Sequence, residues 1–165
     1  MRPMSKPKPE IVPATDGHIP TIAAHVRDAD RAELWGVGCV TPLECLRYGL
    51  EYSRMARTGL MDGVPVCMFG VVPSSILGNV GRPWMVGTHH LDVHPFVFLR
   101  RCRGCVAEMR EGFERLENYV DARNRRAIQW LTWLGFEIDP AAEKLGPFGL
   151  PFFRFGMGGC DDYQG

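Results

Sequence analysis

The segment Asn124–Phe136 constrains the fold more than any other part of the sequence, because a helix, its end and the following strand can all be predicted from its residues. Asn124 is a residue type that favours the N-cap, where its side chain accepts a hydrogen bond from a free backbone N–H. Gly135 can adopt the left-handed conformation that ends many helices. The sequence therefore predicts a helix after Asn124 and a strand that begins at Phe136. The apolar positions at helical spacing are Ala127, Ile128, Leu131 and Leu134.

Similar local signals predict the other elements. Thr41-Pro-Leu-Glu44 is a capping box with proline at the first helical position, and it predicts a helix from Pro42 to about Ala56. Asp62-Gly63 between apolar runs predicts a hairpin. Apolar residues at steps of three and four predict a long helix from about His94 to Leu116. The remaining predictions are a strand at 10–12, a helix after Thr15-Asp16, a short turn from Asp28 to Trp35, strands at 58–61, 64–72, 84–88, 117–121 and 150–156, and a loop at 141–149.

Composition limits the classes of function. The chain has 165 residues, which suits one domain, here predicted at 10–157 between a flexible arm at 1–9 and a flexible tail at 158–165. Its 19 basic and 19 acidic residues give no net charge, so nothing favours nucleic-acid binding. No apolar run approaches the roughly 20 residues of a membrane span, and the N-terminus does not resemble a signal peptide. We expect a soluble protein that is not secreted.

The pattern N-x-x-A-I-x-x-x-x-x-L-G-F over Asn124–Phe136 resembles the helix and strand near the end of the GNAT acetyltransferase superfamily, where the helix packs beside the acyl-CoA channel. The resemblance implies an α/β (α+β) fold. Its centre would be a mixed, mostly antiparallel, twisted sheet of about six or seven strands, flanked by helices on both faces. It also implies acetyl-CoA as a cofactor.

The superfamily's pyrophosphate loop reads Q/R-x-x-G-x-G/A, and this chain matches only half of it. Arg101-x-x-Gly104 fits, but Val106 replaces the last small residue, and Phe96–Leu99 lies where the glycine-rich turn would be. Bulky side chains hinder the close approach of backbone to phosphate. The alternative is a well-capped core helix without a cofactor. The candidate cofactor residues are Arg101, Arg103, Gly104, Asn124 and Arg126.

Acetyl transfer also needs a proton acceptor and a proton donor. The resemblance places the family's frequent tyrosine donor at Leu131, which cannot donate a proton. Candidate bases lie just after the strand predicted at 84–88 and at the start of the strand predicted at 117–121. Exposed loop histidines without a catalytic role are the simpler interpretation. These candidates are His89, His90, Asp92 and Glu117.

Cys102-x-x-Cys105 allows a zinc site with His90 and His94, thioredoxin-like redox chemistry, or ordinary burial on a helix. We expect buried helix cysteines and no metal, because only one such pair is present. The pair Trp130 and Trp133 could form a partner surface or cover a sheet edge.

A narrower resemblance joins Trp84–Thr88, the arginine-rich helix, Leu116–Val120 and Asn124–Phe136. Together they resemble the small GNAT-like internal virion proteins of short-tailed phages, in which a basic helix replaces the acetyl-CoA loop. This resemblance implies a non-catalytic role in virion assembly or as an internal virion component, located in the host cytoplasm or the virion. Other phage structural proteins would be its partners, and it could form an oligomer. The competing hypothesis is an active N-acyltransferase with an atypical pyrophosphate loop.

Overall fold

The computed structural model describes residues 3–158. Cys160 and the predicted tail after Gly158 lie outside the described residues, as do Met1 and Arg2 of the predicted arm. The helices are α1 Ile19–Ala24, α2 Asp28–Gly38, α3 Pro42–Tyr52, α4 Pro95–Arg110 and α5 Arg125–Leu134. The strands are β1 Pro9–Pro13, β2 Met55–Met61, β3 Val64–Pro73, β4 Val80–Gly87, β5 Arg115–Asp121, β6 Glu137–Ile138, β7 Glu143–Leu145 and β8 Leu150–Gly158. Short 3-10 turns at Asp16–His18 and His89–Asp92 complete the described elements.

The strands form one sheet in the order β1-β2-β3-β4-β5-β8-β6, with β7 also paired to β8. Among the strand pairs within residues 3–158, only β4–β5 is parallel. Helices pack on both faces, so the predicted mixed, mostly antiparallel architecture is confirmed. In the part of the chain that the structure describes, the sheet has 8 strands instead of about six or seven, because β7 lies inside the segment predicted as a loop. No helix within residues 3–158 has the length and apolar character that a membrane crossing requires.

Local capping signals in the sequence correspond closely to the structure. The Thr41 hydroxyl accepts the Glu44 N–H while the Glu44 carboxylate accepts the Thr41 N–H, which completes the predicted capping box. Asn124 Oδ1 accepts the Ala127 N–H, and Gly135 ends α5 with φ of 99°. Asp62 and Gly63 both have positive φ, as a two-residue hairpin turn requires.

Three predicted boundaries are wrong. The long helix ends at Arg110, because Gly112 turns the chain with φ of 83° and Leu116 belongs to β5. Phe113 and Leu116 nevertheless pack in the same core as the helix, which explains why their spacing resembled a continuation. The helix that begins at Pro42 ends at Tyr52, and Met55 begins β2. The short turn predicted from Asp28 is α2, which continues to Gly38 and ends at Cys39 in the left-handed region.

Two apolar cores lie on opposite faces of the sheet. The larger one joins α4 and α5 to β3, β5 and β8, and the smaller one joins α1 and α3 to Met68 and Val86. In the smaller core, Gly49 of α3 lies directly under the Trp84 ring, and Trp84 Nε1 donates to Ser53 Oγ at 2.7 Å. A Cβ at position 49 would lie 2.3 Å from that ring. The close approach of α3 to the sheet therefore requires glycine.

We predict that Gly49→Ala destabilises the fold by roughly 1–3 kcal/mol, because the indole must move and its hydrogen bond to Ser53 weakens. Gly104→Ala is the matched control, since it is also helical and a Cβ there meets nothing within 4 Å. We expect Gly104→Ala to stabilise the protein by about 0.5–1 kcal/mol through helix propensity. Urea unfolding of both variants provides the measurement, and equal changes in the two variants would contradict the packing argument.

Candidate functional site

The central feature of the sheet is the divergence of β4 and β5. These parallel neighbours pair only through Val80 with Arg115 and Gly81 with Leu116, and then separate. The space between them is a cavity of about 380 Å³. Its walls are mostly apolar side chains of the two strands, of α4 and α5, and of β8, among them Phe98, Leu99, Trp130, Leu131 and Phe155. The fold therefore leaves a slot in the middle of its sheet.

Along this slot β4 remains paired with β3, but its other side is not paired with β5 beyond Gly81. Thr88 N–H donates to Val66 on β3, so the alternation of an antiparallel ladder directs Pro83, Met85 and Gly87 toward β5. The Gly87 N–H donates to Asp30 Oδ2 at 2.9 Å, and the Gly87 carbonyl accepts the Arg27 N–H at 3.0 Å. At this end of β4, the backbone groups that face the slot are thus already hydrogen-bonded to Arg27 and Asp30.

The facing edge of β5 is occupied in the same way. Its Asp121 N–H donates to Glu33 Oε1 at 2.5 Å, and Asn124 Nδ2 donates to Glu33 Oε2 at 3.2 Å. Nearer the start of the slot, Asn118 Nδ2 donates to the Pro83 carbonyl at 2.8 Å and so bridges the two strands. Asp30 and Glu33 both belong to α2. This helix therefore connects the two edges across the slot.

Arg27 contacts residues on several elements at this end of the slot. Its guanidinium forms a bidentate pair with Asp30, in which Nε donates to Oδ2 and Nη2 donates to Oδ1, and it lies 4.7 Å from the centre of the Trp130 ring. The arginine and the aspartate are both buried, and Arg27 also lies 3.6 Å from Asp92. A buried charge requires a partner, and Arg27 and Asp30 provide one for each other.

A second, polar pocket of about 360 Å³ lies beside this pair and brings together four of the predicted site residues, His89, Asp92, Asn124 and Arg126. Arg126 Nη1 pairs with Asp92 Oδ1, and the Asn124 side chain caps α5 while it donates to Glu33. Arg126 and Asp92 are thus paired within the pocket, while Asn124 bonds groups outside it.

The other histidine candidate lies just outside this pocket. The rings of His25, His89 and His90 are 5.0–5.8 Å apart and form an exposed cluster at the end of β4. Glu117 lies apart from the pocket, on β5, where it pairs with Arg115 at 2.8 Å and lies 3.7 Å from Arg154. The four predicted bases therefore do not converge on one point.

The remaining candidate cofactor residues lie along α4 and do not form a phosphate loop. Arg103 stacks on the Trp133 ring at 3.7 Å and donates to the Trp133 carbonyl. Arg101 and Gly104 are exposed on the same helix. The first turn of α4 contains Pro95, which has no N–H, and Phe96, whose side chain is exposed. The residues present therefore do not fit the pyrophosphate of acetyl-CoA as a glycine-rich helix start would.

The cysteines differ in exposure, since Cys67 and Cys105 are buried, Cys45 and Cys102 are partly buried, and Cys39 is exposed. Burial raises the pKa of Cys67 and of Cys102 to about 12, so neither is a thiolate at neutral pH. No group of three metal-ligating side chains occurs within residues 3–158, so the zinc alternative that joined Cys102 and Cys105 to His90 and His94 has no support. Trp130 and Trp133 are half-buried under Arg27 and Arg103, an arrangement that neither interpretation of this pair anticipated.

Sequence reasoning missed Arg27, Asp30 and Glu33. Their spacing of three residues places them along one face of a helix, and this was the available signal. Glu33 is the unusual member, because burial raises its pKa from 4.5 to about 7, further supported by the charge of Asp30, despite the opposing hydrogen bond from Asp121. By contrast, although burial opposes the shift, the hydrogen bonds and charge of Arg123 lower the pKa of Asp121.

Comparison with solved structures identifies the fold. A ribosomal-protein-alanine N-acetyltransferase from Brucella melitensis aligns with a TM-score of 0.70 and 17% identity, over 90% of this chain and 99% of that one. YncA of Salmonella typhimurium, solved with its cofactor acetyl-CoA, has a TM-score of 0.69 and 14% identity, over 94% and 96% of the two chains. A GNAT-family acetyltransferase from Streptococcus pneumoniae has a TM-score of 0.60 and 13% identity, over 91% and 99%.

The chain has the GNAT acetyltransferase fold. At these identities the similarity establishes the architecture alone. No family model matches the sequence, and the comparison with curated proteins gives no match. The GNAT-like fold predicted from Asn124–Phe136 is thus confirmed, and the activity must be argued from the site.

We predict that Glu33→Gln makes the protein more stable relative to the unmutated chain as pH rises. A pKa raised from 4.5 to about 7 means that the folded state holds a proton that the unfolded state has lost, so the unmutated chain loses stability between these pH values. The loss is at most about 3 kcal/mol. Thermal unfolding of both proteins at pH 5 and pH 8 measures this loss of stability. If the difference in Tm between the variant and the unmutated protein is the same at both pH values, the raised pKa of Glu33 is contradicted.

Proposed function

We propose that this chain is a non-catalytic GNAT-fold protein of a short-tailed phage, which acts through its surfaces in virion assembly or as an internal virion component. One observation carries the non-catalytic part of the proposal. The backbone edges at the end of the β4–β5 slot are occupied by Asp30 and Glu33, so α2 already bonds the groups that an extended ligand would need there.

Two further features support the absence of acetyl transfer. Leu131, at the position of the family's tyrosine donor, contributes an apolar side chain to the cavity wall. The cationic groups near the pocket, Arg27 and Arg126, are paired with Asp30 and Asp92, which leaves little positive charge for a pyrophosphate. Proton transfer and phosphate binding would both need groups that this chain uses elsewhere or lacks.

The phage assignment depends on the sequence resemblance described above. Its segments are Trp84–Thr88, the arginine-rich helix α4, Leu116–Val120 and Asn124–Phe136. In the structure these segments form β4, α4, β5 and α5, which are the elements that surround the slot. The resemblance therefore covers the part of the fold in which an enzyme would bind acetyl-CoA.

We predict that isothermal titration with acetyl-CoA gives no saturable binding up to millimolar concentration, for the unmutated chain and for Gly104→Glu alike. The Gly104 position matters because its exposed helix face is the remnant of the pyrophosphate pattern. An acetyltransferase known to bind acetyl-CoA serves as the positive control. A saturable complex that Gly104→Glu abolishes would overturn the non-catalytic proposal and favour an enzyme.

We predict that the protein is present in purified particles of the phage that encodes it and resists protease until the particles are opened. Quantitative mass spectrometry before and after osmotic shock provides the measurement, with an exposed capsid protein as the control for protease activity. Absence from the particles, together with presence in infected cells, would limit the role to assembly. Absence from both would contradict the phage proposal.

The second candidate is an active N-acyltransferase with an atypical pyrophosphate loop. The observation that favours it is the cavity itself. Met85 pairs with Phe69 of β3 on one side, but the β4–β5 pairing ends at Gly81, so the backbone N–H and C=O of Met85 face the slot. These groups could bond an extended ligand that contains amides. Acetyl-CoA would be its cofactor, and the titration described above decides between the two candidates.

A further inference from the structure

The zero net charge of the chain conceals an uneven distribution of its charges. Residues 93–107, which include most of α4, contain three arginines and no acidic residue. Residues 122–136, which include α5, contain three more arginines and again no acidic residue. The two helices are neighbours on one face of the sheet. That face therefore has an excess of basic residues, which acidic residues elsewhere in the chain balance.

The arginine cluster of α4 consists of Arg100, Arg101 and Arg103. All three side chains are exposed, and none of them forms an ion pair within residues 3–158. By contrast, Arg123 and Arg126 beside α5 are both paired with aspartates. The arginine cluster therefore supplies most of the unpaired positive charge of this face.

The sequence of α4 gives the arginine cluster no partner on its own helix. A carboxylate four residues after an arginine would form a stabilising ion pair. The positions four residues after these arginines hold Gly104, Cys105 and Ala107. The acidic residue of α4, Glu108, pairs instead with Arg57 of β2. Arg100 and Arg103 are helix neighbours whose like charges repel each other, and an anionic partner would relieve this repulsion.

Arg103 is held in position while most of its donors stay free. Its guanidinium lies 3.7 Å from the centre of the Trp133 ring, and Nη2 donates to the Trp133 carbonyl at 3.2 Å. A guanidinium has five N–H donors, and this is the one bond that Arg103 donates within residues 3–158. A side chain that is ordered before binding loses less entropy when it pairs with an anion. Arg103 therefore presents an ordered fork of donors, which matches the oxygens of a phosphate group.

Phe96 adds an aromatic ring to the same side of α4. It is 67% exposed, and it precedes Arg100 by four residues and Arg103 by seven, which is the spacing of one stripe along a helix. At the usual rise of a helix, Phe96 and Arg103 are about 10 Å apart along the axis. The stripe therefore combines two cations with one exposed aromatic ring, and Arg101 lies beside it.

This combination favours a nucleic acid over an acidic protein as the partner. Arginine pairs with both carboxylates and phosphates, so the charges alone do not decide. Surfaces that bind single-stranded nucleic acids combine cations along the backbone with aromatic rings on which bases stack. Phe96, in line with Arg100 and Arg103, has this arrangement. Only unpaired bases can stack on such a ring, which favours a single strand over a duplex.

We propose that the solvent face of α4 binds a single-stranded nucleic acid, whose phosphates pair with the arginine cluster while one base stacks on Phe96. Phe96 and the three arginines do not belong to the wall of the β4–β5 cavity, so this surface is separate from the slot. It goes beyond the proposed function, because neither a virion role nor acetyl transfer assigns a nucleic acid to the chain.

Fluorescence anisotropy of a labelled oligothymidylate, titrated with the full chain, tests the proposal. Three neutralised phosphates give a slope of about −2 for log affinity against log salt, so the affinity should fall about 20-fold between roughly 50 and 200 mM salt. An oligouridylate of the same length should bind within about threefold, because stacking and phosphate pairing do not involve the 2′-hydroxyl.

The arginine cluster is tested by the combined substitution Arg100→Gln, Arg101→Gln and Arg103→Gln. It should weaken binding at about 50 mM salt at least tenfold and remove most of the salt dependence. The matched control changes the net charge equally at three exposed cations on α2, α3 and β7, and should bind within about twofold of the unmutated chain. Its substitutions are Arg31→Gln, Arg47→Gln and Lys144→Gln.

Phe96 is tested separately, because it contributes no charge. Phe96→Ala should weaken binding of the single strand about fivefold or more and leave the salt slope unchanged. Phe96→Tyr, which keeps an aromatic ring, should bind as the unmutated chain does. A duplex of the same length should bind more weakly than the single strand and should not respond to Phe96→Ala.

Four results would overturn the proposal. They are no saturable binding of oligothymidylate up to about 100 μM protein, equal losses in the cluster variant and its control, duplex binding as tight as that of the single strand, and equally effective competition by an oligoglutamate. The last result would identify an acidic protein as the partner. If a variant does not fold, the salt slope and the comparison of single strand with duplex in the unmutated chain decide.

Discussion

The structure depends on how the edges of β4 and β5 are satisfied where the two strands separate. Backbone N–H groups buried without partners are costly, so a sheet that opens in its middle needs another source of hydrogen bonds. In this chain α2 provides it, since Asp30 bonds the Gly87 N–H and Glu33 bonds the Asp121 N–H. The carboxylates are thereby buried, and the burial explains both the bidentate Arg27–Asp30 pair and the raised pKa of Glu33. The position of α2, the polar pocket and the chemistry of the slot all follow from this one requirement.

The features that the sequence predicted correctly are the ones that local chemistry decides. Helix caps depend on contacts between residues that are only three or four positions apart. The roles of Asn124, Gly135 and Thr41 at the ends of helices could therefore be predicted without knowledge of the fold. The error at Phe113 and Leu116 has the opposite origin. Phe113 joins the core of α4 from the connection after Gly112, and Leu116 joins it from β5, so their spacing resembled a helix that had already ended.

The candidate site was less predictable, because its contacts join residues that are far apart in the sequence. Asp30 and Gly87 are 57 positions apart, and Glu33 and Asp121 are 88 positions apart. The spacing of Arg27, Asp30 and Glu33 is visible in the sequence, but charged residues at such spacing usually mark a solvated helix face. Only the sheet topology shows that this face of α2 lies over a gap between two strands. The predicted residues His89, Asp92, Asn124 and Arg126 do meet in one pocket, because the ends of β4 and β5 bring their following segments together.

Asp30 and Glu33, which both belong to α2, differ in the groups that they bond. Removal of Asp30 would free the Gly87 N–H for a ligand, but it would also leave Arg27 buried beside a single partly exposed carboxylate at 3.6 Å. Breaking a buried ion pair costs about 3–5 kcal/mol, which is a large part of the stability of a domain of this size. Replacement of either Arg27 or Asp30 alone would therefore destabilise the fold, and the pair keeps the Gly87 N–H of β4 hydrogen-bonded. Within residues 3–158 Glu33 forms no such ion pair, so it is held at the β5 edge by hydrogen bonds from two neutral donors, the Asp121 N–H and Asn124 Nδ2.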